Sequence, residues 1–374
     1  MMQENEKIQE LIKNHKKYLD YLFQVMVENK VSDMFLTYDE SPCFRINWSI
    51  HRFSKLPKLS NDTLEGIAYI IMNEFEWEIF RDKLTIDLWT EHNWNRFRVN
   101  ISMQQKHIMI VIRLLASKIP TIDELWLPPI FKEIVSKKSW IILLAWPTGS
   151  WKSTTLASMI EEINNNYSKH IITIEDPIEY IFTPKKSVIE QKQLGEDITS
   201  FWSALKSALR QNPDVVLFWE MRDFDSIKNA ITLAETWHLV LSTIHSRSSS
   251  QTVSKIIDVF SPEQQSQIRI QLAEALLAVI SQRLINKKDG TWMAVAFEIM
   301  INNNGIANLI IENQIKQINN IIQTNKTNGM ILLEDGIINL IDKWDINMQD
   351  WLANANNTSY IMSELRNRGI NIFN

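Results

Sequence analysis

The sequence predicts an α/β protein whose larger part is a doubly wound, mostly parallel sheet. From residue 140 onward, short apolar runs alternate with helical stretches, and the first run is followed by a Lys-Ser pair at a helix start. Strands of a parallel sheet are covered on both faces, so they are apolar throughout rather than alternating. With 374 residues and 45% hydrophobic content, the chain is long enough for two domains with their own cores.

The composition argues against several classes of protein. The net charge of -5 gives no reason to expect a nucleic acid as partner. The single cysteine, Cys43, excludes a disulfide framework or a multi-cysteine zinc site within this sequence. The apolar runs are too short to span a bilayer, and the opening MMQENEKIQE lacks a signal-peptide core. We therefore expect a cytoplasmic protein with no direct membrane insertion.

The first third of the chain predicts a small α+β domain. Apolar residues recur at helical spacing over residues 1–30, which indicates an amphipathic helix. Short strands are expected between 34 and 53, joined at Asn47-Trp48, where Asn-Gly but not Asn-Trp would indicate a tight hairpin. The elements expected after them are a helix over 62–80 and strands over 84–88, 96–101 and 108–115.

The rest of the chain alternates strands and helices. Residues 116–129 contain three prolines and predict a linker that leads into a helix. A helix is expected over 153–164, after the first apolar run. The apolar runs predicted as strands are 141–145, 171–174, 215–218 and 239–243. Further helices are expected over 263–285 and 329–343.

The segment between the first of these strands and its helix, residues 145–154, reads AWPTGSWKST. It matches the phosphate-binding pattern G-x-x-x-x-G-K-[ST] except that Trp146 and Trp151 occupy both glycine positions. Such a loop wraps main-chain N–H groups around phosphates at a helix N-terminus. Glycine is needed where the backbone approaches the ligand closely, and two indole rings would fill the phosphate volume.

The amino-acid counts suggest an explanation. Glycine numbers only 8, about 2% against an average near 7%, whereas tryptophan numbers 14. One hypothesis is that the gene comes from an organism that reads UGA as glycine, so that a standard translation prints tryptophan. The other is that the tryptophans are real and the protein is an inactive paralogue. The first accounts for the glycine deficit of the whole chain, and the second accounts only for the loop.

Four motifs in order resemble those of the secretion ATPase superfamily. With glycine at 146 and 151 the loop reads GPTGSGKSTT. The segments IEDPIE (174–179), DVVLFWEMRD (214–223) and AETWHLVLSTIH (234–245) resemble the acidic box, the Walker B segment and the His box of that superfamily. Trp219 and Trp237 stand where the family has glycine. Length and the C-terminal region are most similar to the PilT-type ATPases that retract type IV pili.

This resemblance implies a RecA-like ATPase domain over 125–374, preceded by a linker over 116–124 and a PAS-like α+β domain over 1–115. It also implies ATP and Mg²⁺ as ligands. The residues expected to bind the nucleotide are Trp146, Pro147, Thr148, Gly149, Ser150, Trp151, Lys152, Ser153, Thr154 and His238. Lys152 would neutralise the β- and γ-phosphates, and Ser153 and Glu175 would hold the metal ion.

The resemblance also implies the catalytic residues. Glu220, at the end of an apolar strand, would polarise the attacking water, and Glu179 would assist near the metal. His238 and His245 would sense the γ-phosphate. The arginines that stabilise transition-state charge would be Arg96, Arg98 and Arg113, which can reach ATP only from a neighbouring subunit. The alternative for these arginines is a salt-bridged sheet face.

The implied partners are copies of the chain in a hexameric ring and a platform protein of the inner membrane at the pilus base. One segment departs from the retraction ATPases: AIRNLIRE is written here as GIANLIIE over 305–312, without either arginine. Three outputs therefore stay open. They are an active retraction motor, an inactive scaffold within the same kind of ring, and a secretion or DNA-uptake ATPase.

Overall fold

The computed structural model describes residues 13–46, 49–53, 55–115, 118–145, 152–287, 293–343 and 346–369. The chain divides into two compact units, Met1–Lys118 and Ile119–Asn374. Each unit has its own apolar core. Within the described residues no helix combines the length and apolar character needed to cross a membrane.

The first unit is a six-stranded antiparallel sheet packed against helices. Its strand order is β3-β2-β1-β6-β5-β4. Alternate residues of the central strands are buried, as expected for a sheet with one face on the core. Its helices are α1 (His15–Glu28), α2 (Asn61–Ile71) and α3 (Glu74–Lys83), and its strands are β1 (Asp33–Leu36), β2 (Cys43–Ile46), β3 (Ser49–Arg52), β4 (Thr85–His92), β5 (Asn95–Gln104) and β6 (His107–Leu114).

One prediction for this unit is wrong in detail, because the helix expected over 62–80 is interrupted. Asn73 lies between α2 and α3, and its side chain accepts a hydrogen bond of 2.9 Å from the Glu76 N–H. The Glu76 carboxylate accepts one of 2.7 Å from the Asn73 N–H. This reciprocal capping box starts a new helix. The predicted strands of the unit are confirmed.

The second unit is a seven-stranded sheet with helices on both faces. The elements of its first half are α4 (Ile130–Val135), β7 (Trp140–Ala145), α5 (Lys152–Asn166), β8 (His170–Glu175), β9 (Val188–Gln193), α6 (Phe201–Ala208), β10 (Val215–Phe218), α7 (Phe224–Glu235) and β11 (Leu239–Ile244). Those of its second half are α8 (Ser249–Asp258), α9 (Pro262–Ala275), β12 (Leu276–Asn286), β13 (Met293–Ile301), α10 (Asn304–Ile311), α11 (Ile318–Thr324), α12 (Leu333–Lys343), α13 (Met348–Asn354) and α14 (Thr358–Asn367), with short 3₁₀ turns at Ile315–Gln317 and Lys326–Asn328.

The strand order of this sheet is β13-β12-β7-β11-β10-β8-β9, and every neighbouring pair is parallel except β12 with β13. The parallel, doubly wound sheet predicted from the apolar runs is thus present. The helix expected over 263–285 is wrong beyond Ala275, because residues 276–286 form β12. This strand lies between β7 and β13 and is buried on both faces, so its continuous apolar run cannot be told from a buried helix by periodicity.

Tryptophan occurs at backbone conformations that favour glycine. Nine tryptophans lie within the described residues, and four of them have positive φ: Trp94 (64°), Trp126 (56°), Trp140 (130°) and Trp237 (71°). Such values are found for only a few per cent of non-glycine residues and are unusual for a bulky side chain. Trp94, Trp126 and Trp237 are also 97%, 76% and 79% exposed, so packing does not hold these rings in place.

Three of these positions lie in motifs that select glycine. Trp237 follows the C-terminus of α7, where its N–H bonds to Ala234 O at 3.3 Å and the His238 N–H bonds to Leu233 O at 3.2 Å. This is the Schellman pattern, whose left-handed residue is usually glycine. The same pair of hydrogen bonds occurs at Trp126, whose N–H bonds to Asp123 O while the Leu127 N–H bonds to Ile122 O.

Trp94 lies in the two-residue turn between β4 and β5. Asn93 before it also has positive φ, 47°, so both central residues of the turn are left-handed. That is the type I′ turn, for which Asn-Gly is the strongest short-range signal. Trp351 is the contrasting case, because it is 3% exposed within an apolar cluster that the C-terminal helices form with β12 and β13.

Candidate ATP site

The strand and the helix that flank the predicted phosphate loop are both present. β7 ends at Ala145 in the middle of the parallel sheet, and α5 begins at Lys152. The N-terminus of a helix at the carboxyl edge of a parallel sheet is a ready-made anion site, since free N–H groups and the helix dipole point at it. Residues 146–151 (Trp146, Pro147, Thr148, Gly149, Ser150 and Trp151) and the Lys152 side chain lie outside the described part of the structure.

A small cavity lies beside the first turn of α5. Ser153 and Glu175 both line it, together with Tyr180 and Trp219. Glu175 ends β8 and is 7% exposed, and one of its carboxylate oxygens accepts a 2.7 Å hydrogen bond from Thr173 Oγ1. The structure therefore brings together the two predicted metal ligands, a hydroxyl and a buried carboxylate.

Tyr180 is a residue of this site that sequence reasoning missed. Its hydroxyl and Thr154 Oγ1 lie 2.8 Å apart, so Tyr180 holds the second hydroxyl residue after Lys152. Burial raises the pKa of Tyr180, and the nearby charge of Glu179 adds to the effect while the Thr154 hydrogen bond opposes it. Glu179 itself is half-buried, and it is not among the described residues that line the cavity with Ser153 and Glu175.

Two of the predicted catalytic residues meet where two neighbouring parallel strands end. Glu220 follows β10 and His245 follows β11, and His245 Nε2 lies 3.2 Å from Glu220 Oε1. The other carboxylate oxygen of Glu220 accepts a 2.7 Å hydrogen bond from Arg222 Nε. The Glu220 side chain is only 8% exposed. Arg222 was not predicted as a site residue, although it lies only two residues beyond Glu220.

Glu220 adopts a strained backbone, with φ at 70°. Hydrogen bonds on either side maintain it: Trp219 N–H to Ile174 O and Met221 N–H to Thr243 O, both 2.8 Å. Non-glycine residues held in this region cost about 1–3 kcal/mol each, and they persist when surrounding contacts dictate the conformation. The conformation directs the carboxylate toward His245 and Arg222.

His238 does not join this site, which corrects the prediction that it senses the γ-phosphate together with His245. It precedes β11, whereas His245 follows it, and the six intervening residues span about 20 Å of strand. The main-chain oxygen of His238 accepts from the Trp140 N–H at the start of β7. The side chain lies beside the end of α7, with Nδ1 2.9 Å from Leu233 O. His238 is therefore at the edge of the sheet opposite the end of β7.

The three predicted arginines share one face of the sheet in the first unit. Each is ion-paired there: Arg96 with Glu91 at 3.6 Å, Arg98 with Asp87 at 3.4 Å, and Arg113 with Asp33 at 2.8 Å. Arg98 and Arg113 are directly opposite each other on β5 and β6. The salt-bridged sheet face considered as the alternative is thus present. Partial exposure, 24%, 36% and 58% for the three side chains, leaves their outer parts accessible.

A fourth arginine, missed in the sequence, extends this face. Arg45 on β2 pairs across from Asp33, and its Nε lies 3.8 Å from an oxygen of the same carboxylate. Asp33 is nearly buried and so connects Arg45 with Arg113. The signal that could have identified Arg45 is the alternation of apolar and polar residues along β2.

Comparison with known proteins identifies the family. A family model described as "Type II/IV secretion system protein" matches residues 13–291. The chain belongs to this family. Among the similar proteins, the "Twitching motility protein" of Neisseria gonorrhoeae is 40% identical over 302 residues, 80% of each chain. The "Type IV pilus retractation ATPase PilT" of Pseudomonas aeruginosa is 39% identical over 313 residues, 83% of this chain and 90% of that protein.

One solved structure with the same fold is similar over nearly the whole chain. It is described as "Crystal Structure of the Pilus Retraction Motor PilT and Bound ADP", and it is 36% identical with a TM-score of 0.86. The alignment covers 92% of this chain and 98% of that one. The predicted resemblance to PilT-type ATPases and the predicted α/β fold class are confirmed.

Proposed function

We propose that this chain is an ATP-hydrolysing motor that drives retraction of type IV pili. One observation carries the proposal: Glu220 and His245 converge at the carboxyl edge of the sheet that also presents the N-terminus of α5. Placing a buried carboxylate against a histidine, beside a phosphate-binding helix, suits activation of a water molecule for phosphoryl transfer. The close PilT-type relatives support this choice of output.

Each residue then has a role in phosphoryl transfer. Main-chain N–H groups of residues 146–151 and the Lys152 ammonium would bind the phosphates, and Glu220 would orient the water. His245 would hold Glu220 and respond to loss of the γ-phosphate. The Ser153 hydroxyl and the Glu175 carboxylate are oxygen ligands of the kind that Mg²⁺ takes, and the ion would neutralise charge on the phosphates.

A ring would complete the site. The outer parts of Arg96, Arg98 and Arg113 are accessible in the first unit and would reach the nucleotide of a neighbouring copy, as charge-stabilising arginines supplied in trans do. Rings of this kind would act at the inner face of the cell membrane, against a platform protein at the pilus base. Glu179 and Thr154 would support the nucleotide pocket from the same subunit.

This function requires glycine at 146 and 151, and we infer that both positions are glycine in the native protein. The left-handed backbone of Trp94, Trp126 and Trp237 supports the same substitution elsewhere in the chain. Mass spectrometry of peptides from the native organism tests it: glycine masses at 146 and 151 are expected. Tryptophan masses at 146 and 151 would instead support a second candidate function, a non-hydrolysing scaffold. Tryptophan at both positions of the sequence is the observation that favours this candidate.

Measuring ATP hydrolysis tests the assignment of the phosphate site. In protein with glycine at 146 and 151, Lys152→Ala should abolish ATP hydrolysis, because the phosphates lose their fixed positive charge. Lys137→Ala provides a matched loss of a lysine at an exposed position after α4, where the ammonium pairs with Glu133 at 3.3 Å. Hydrolysis that survives Lys152→Ala unchanged would refute the assignment of the phosphate site.

A further inference from the structure

A buried ionic group lies behind the turn that carries His245. This turn, residues 245–249, connects β11 to α8 and is called here the His245 turn. Arg283 on β12 and Glu298 on β13 lie on the sheet behind it, and they are 5% and 2% exposed. Fully buried charges are rare unless they are paired or hydrogen-bonded, so these two groups need an explanation.

Both side chains bind the main chain of the His245 turn. Arg283 Nη2 donates a 2.7 Å hydrogen bond to the carbonyl of Arg247. Glu298 accepts a hydrogen bond from the backbone N–H of Ser249, the first residue of α8. Ser249 is itself fully buried, and its hydroxyl donates to Val279 O on β12 at 3.5 Å. Two strands of the sheet thus fix the end of the turn.

Arg283 and Glu298 are arranged as one unit. Glu298 is directly opposite Ser281 across the β12–β13 pair, and Arg283 lies two residues further along β12 on the same face. Burial lowers the pKa of Arg283 and raises that of Glu298, and the charge of each partner opposes the shift of the other. The two charges therefore support each other in a site from which water is largely excluded.

The fixed end of the turn is connected to His245 through α8. Lys255, one and a half turns into α8, donates a 2.8 Å hydrogen bond to the His245 carbonyl. His245 then contacts Glu220 at 3.2 Å. Since Glu298 holds the start of α8 and Lys255 holds His245, the position of the imidazole depends on this buried pair.

We propose that Arg283 and Glu298 are positioning residues that hold the His245 turn and thereby set the contact between His245 and Glu220. The proposal rests on the function proposed above for that contact. A positioning role differs from that of an ordinary core residue, because substitutions of Arg283 or Glu298 should lower turnover only by displacing His245. Neither residue is placed in contact with the nucleotide.

The test removes the hydrogen bonds that the pair makes to the His245 turn and measures whether the resulting loss of kcat depends on the presence of His245. In protein with glycine at 146 and 151, Glu298→Met should lower kcat about tenfold or more with KM changed by less than about threefold, since small displacements of catalytic groups are costly. Glu298→Gln keeps an oxygen that accepts from Ser249 and should restore most of the rate. In a His245→Ala background, Glu298→Met should cause no further loss.

The controls separate positioning from general destabilisation. Glu161 is a comparably buried carboxylate, 9% exposed, which bonds Asn164 and Lys185 instead of the turn. Glu161→Met should leave kcat within about twofold of the parent. Because Glu298→Met could fail to fold, Lys255→Met, at an exposed position, gives a second probe that should lower kcat and also lose its effect without His245.

Amide hydrogen exchange provides a readout that does not need turnover. Exchange of residues 246–249 should be faster in Glu298→Met than in Glu161→Met, whether or not the parent hydrolyses ATP. An inactive parent with this exchange pattern would refute the proposed function and leave the positioning role standing. Equal amide exchange in Glu298→Met and Glu161→Met would overturn the positioning role. So would a loss of kcat in Lys255→Met or Glu298→Met that persists in the His245→Ala background.

Discussion

Replacing exposed tryptophans by glycine should stabilise this protein at some positions and destabilise it at others. At Trp237, the φ of 71° places an L-residue in the left-handed region, which costs about 1–2 kcal/mol. Glycine avoids that cost but loses more backbone entropy on folding, about 0.5–1 kcal/mol. Since the ring is 79% exposed, little packing is lost. We expect Trp237→Gly to raise the free energy of unfolding by about 0.5–1 kcal/mol.

The same substitution has opposite expectations elsewhere. Trp202 is 49% exposed within α6, a right-handed helix, where Trp202→Gly relieves no strain and should cost about 0.5 kcal/mol. Trp351 is 3% exposed in the C-terminal cluster, and Trp351→Gly should cost about 3–5 kcal/mol, as for other large core truncations. Trp94→Gly, in the type I′ turn, should resemble Trp237→Gly.

Urea unfolding of the single variants, followed by far-ultraviolet circular dichroism, measures these differences. The midpoints should rise for Trp94→Gly and Trp237→Gly and fall for the other two. Because positions 94 and 237 lie in different units, each transition should be read for its own unit. A lowered midpoint for Trp237→Gly, equal to that of Trp202→Gly, would refute the argument from backbone conformation.

Three further outcomes are expected. Glu220→Gln should lower kcat for ATP by about 10²-fold or more with nucleotide affinity retained, while His245→Ala should cost less, because it supports the carboxylate instead of contacting the water. Asp214→Asn should lower the urea midpoint at pH 7 and have a progressively smaller effect as the pH falls below about 4. Although burial opposes it, hydrogen bonds from His170 N–H and Lys169 hold the pKa of Asp214 below its usual value, so its contribution is complete above about pH 4 and is lost as the pH falls through the lowered pKa. Gly336→Ala should destabilise by about 1–3 kcal/mol, since a Cβ there would lie 2.6 Å from a backbone oxygen, which thermal unfolding would detect.

These outcomes have matched controls. Gly305→Ala brings a Cβ to 3.0 Å from the flexible end of Ile321, and it should change the melting temperature much less than Gly336→Ala. A pH-independent effect of Asp214→Asn would contradict its ionised role. A loss of nucleotide affinity with kcat unchanged in Glu220→Gln would place Glu220 in ground-state binding instead of water activation.

Much of the sheet of the second unit could be predicted, because buried parallel strands appear in a sequence as short, continuous apolar runs. Short apolar runs separated by helical stretches indicated β7, β8, β10 and β11 correctly. β12 could not be recognised, because a strand covered by neighbours and helices on all sides has the same composition as a buried helix. The break at Asn73 depended on one capping box inside an otherwise continuous helical pattern.

The candidate site was partly predictable for geometric reasons. Residues that follow parallel strands meet at one edge of the sheet, and so Glu220 and His245 could be placed together from their positions. The same rule, applied to the length of β11, would have excluded His238. Tyr180 and the Arg283–Glu298 pair had no comparable signal, because their contacts join segments that are distant in the chain.

The left-handed turn at Trp94 also has a consequence for producing the protein. If codon 94 is UGA, ribosomes that use the standard code release the nascent polypeptide at that point. The fragment would retain β1 to β4 and lack β5 and β6, which lie between β1 and β4 in the sheet order. β4 would then have no neighbouring strand, and no part of the second unit would be synthesised. A recoded synthetic gene is therefore the practical starting point for any biochemistry on this protein.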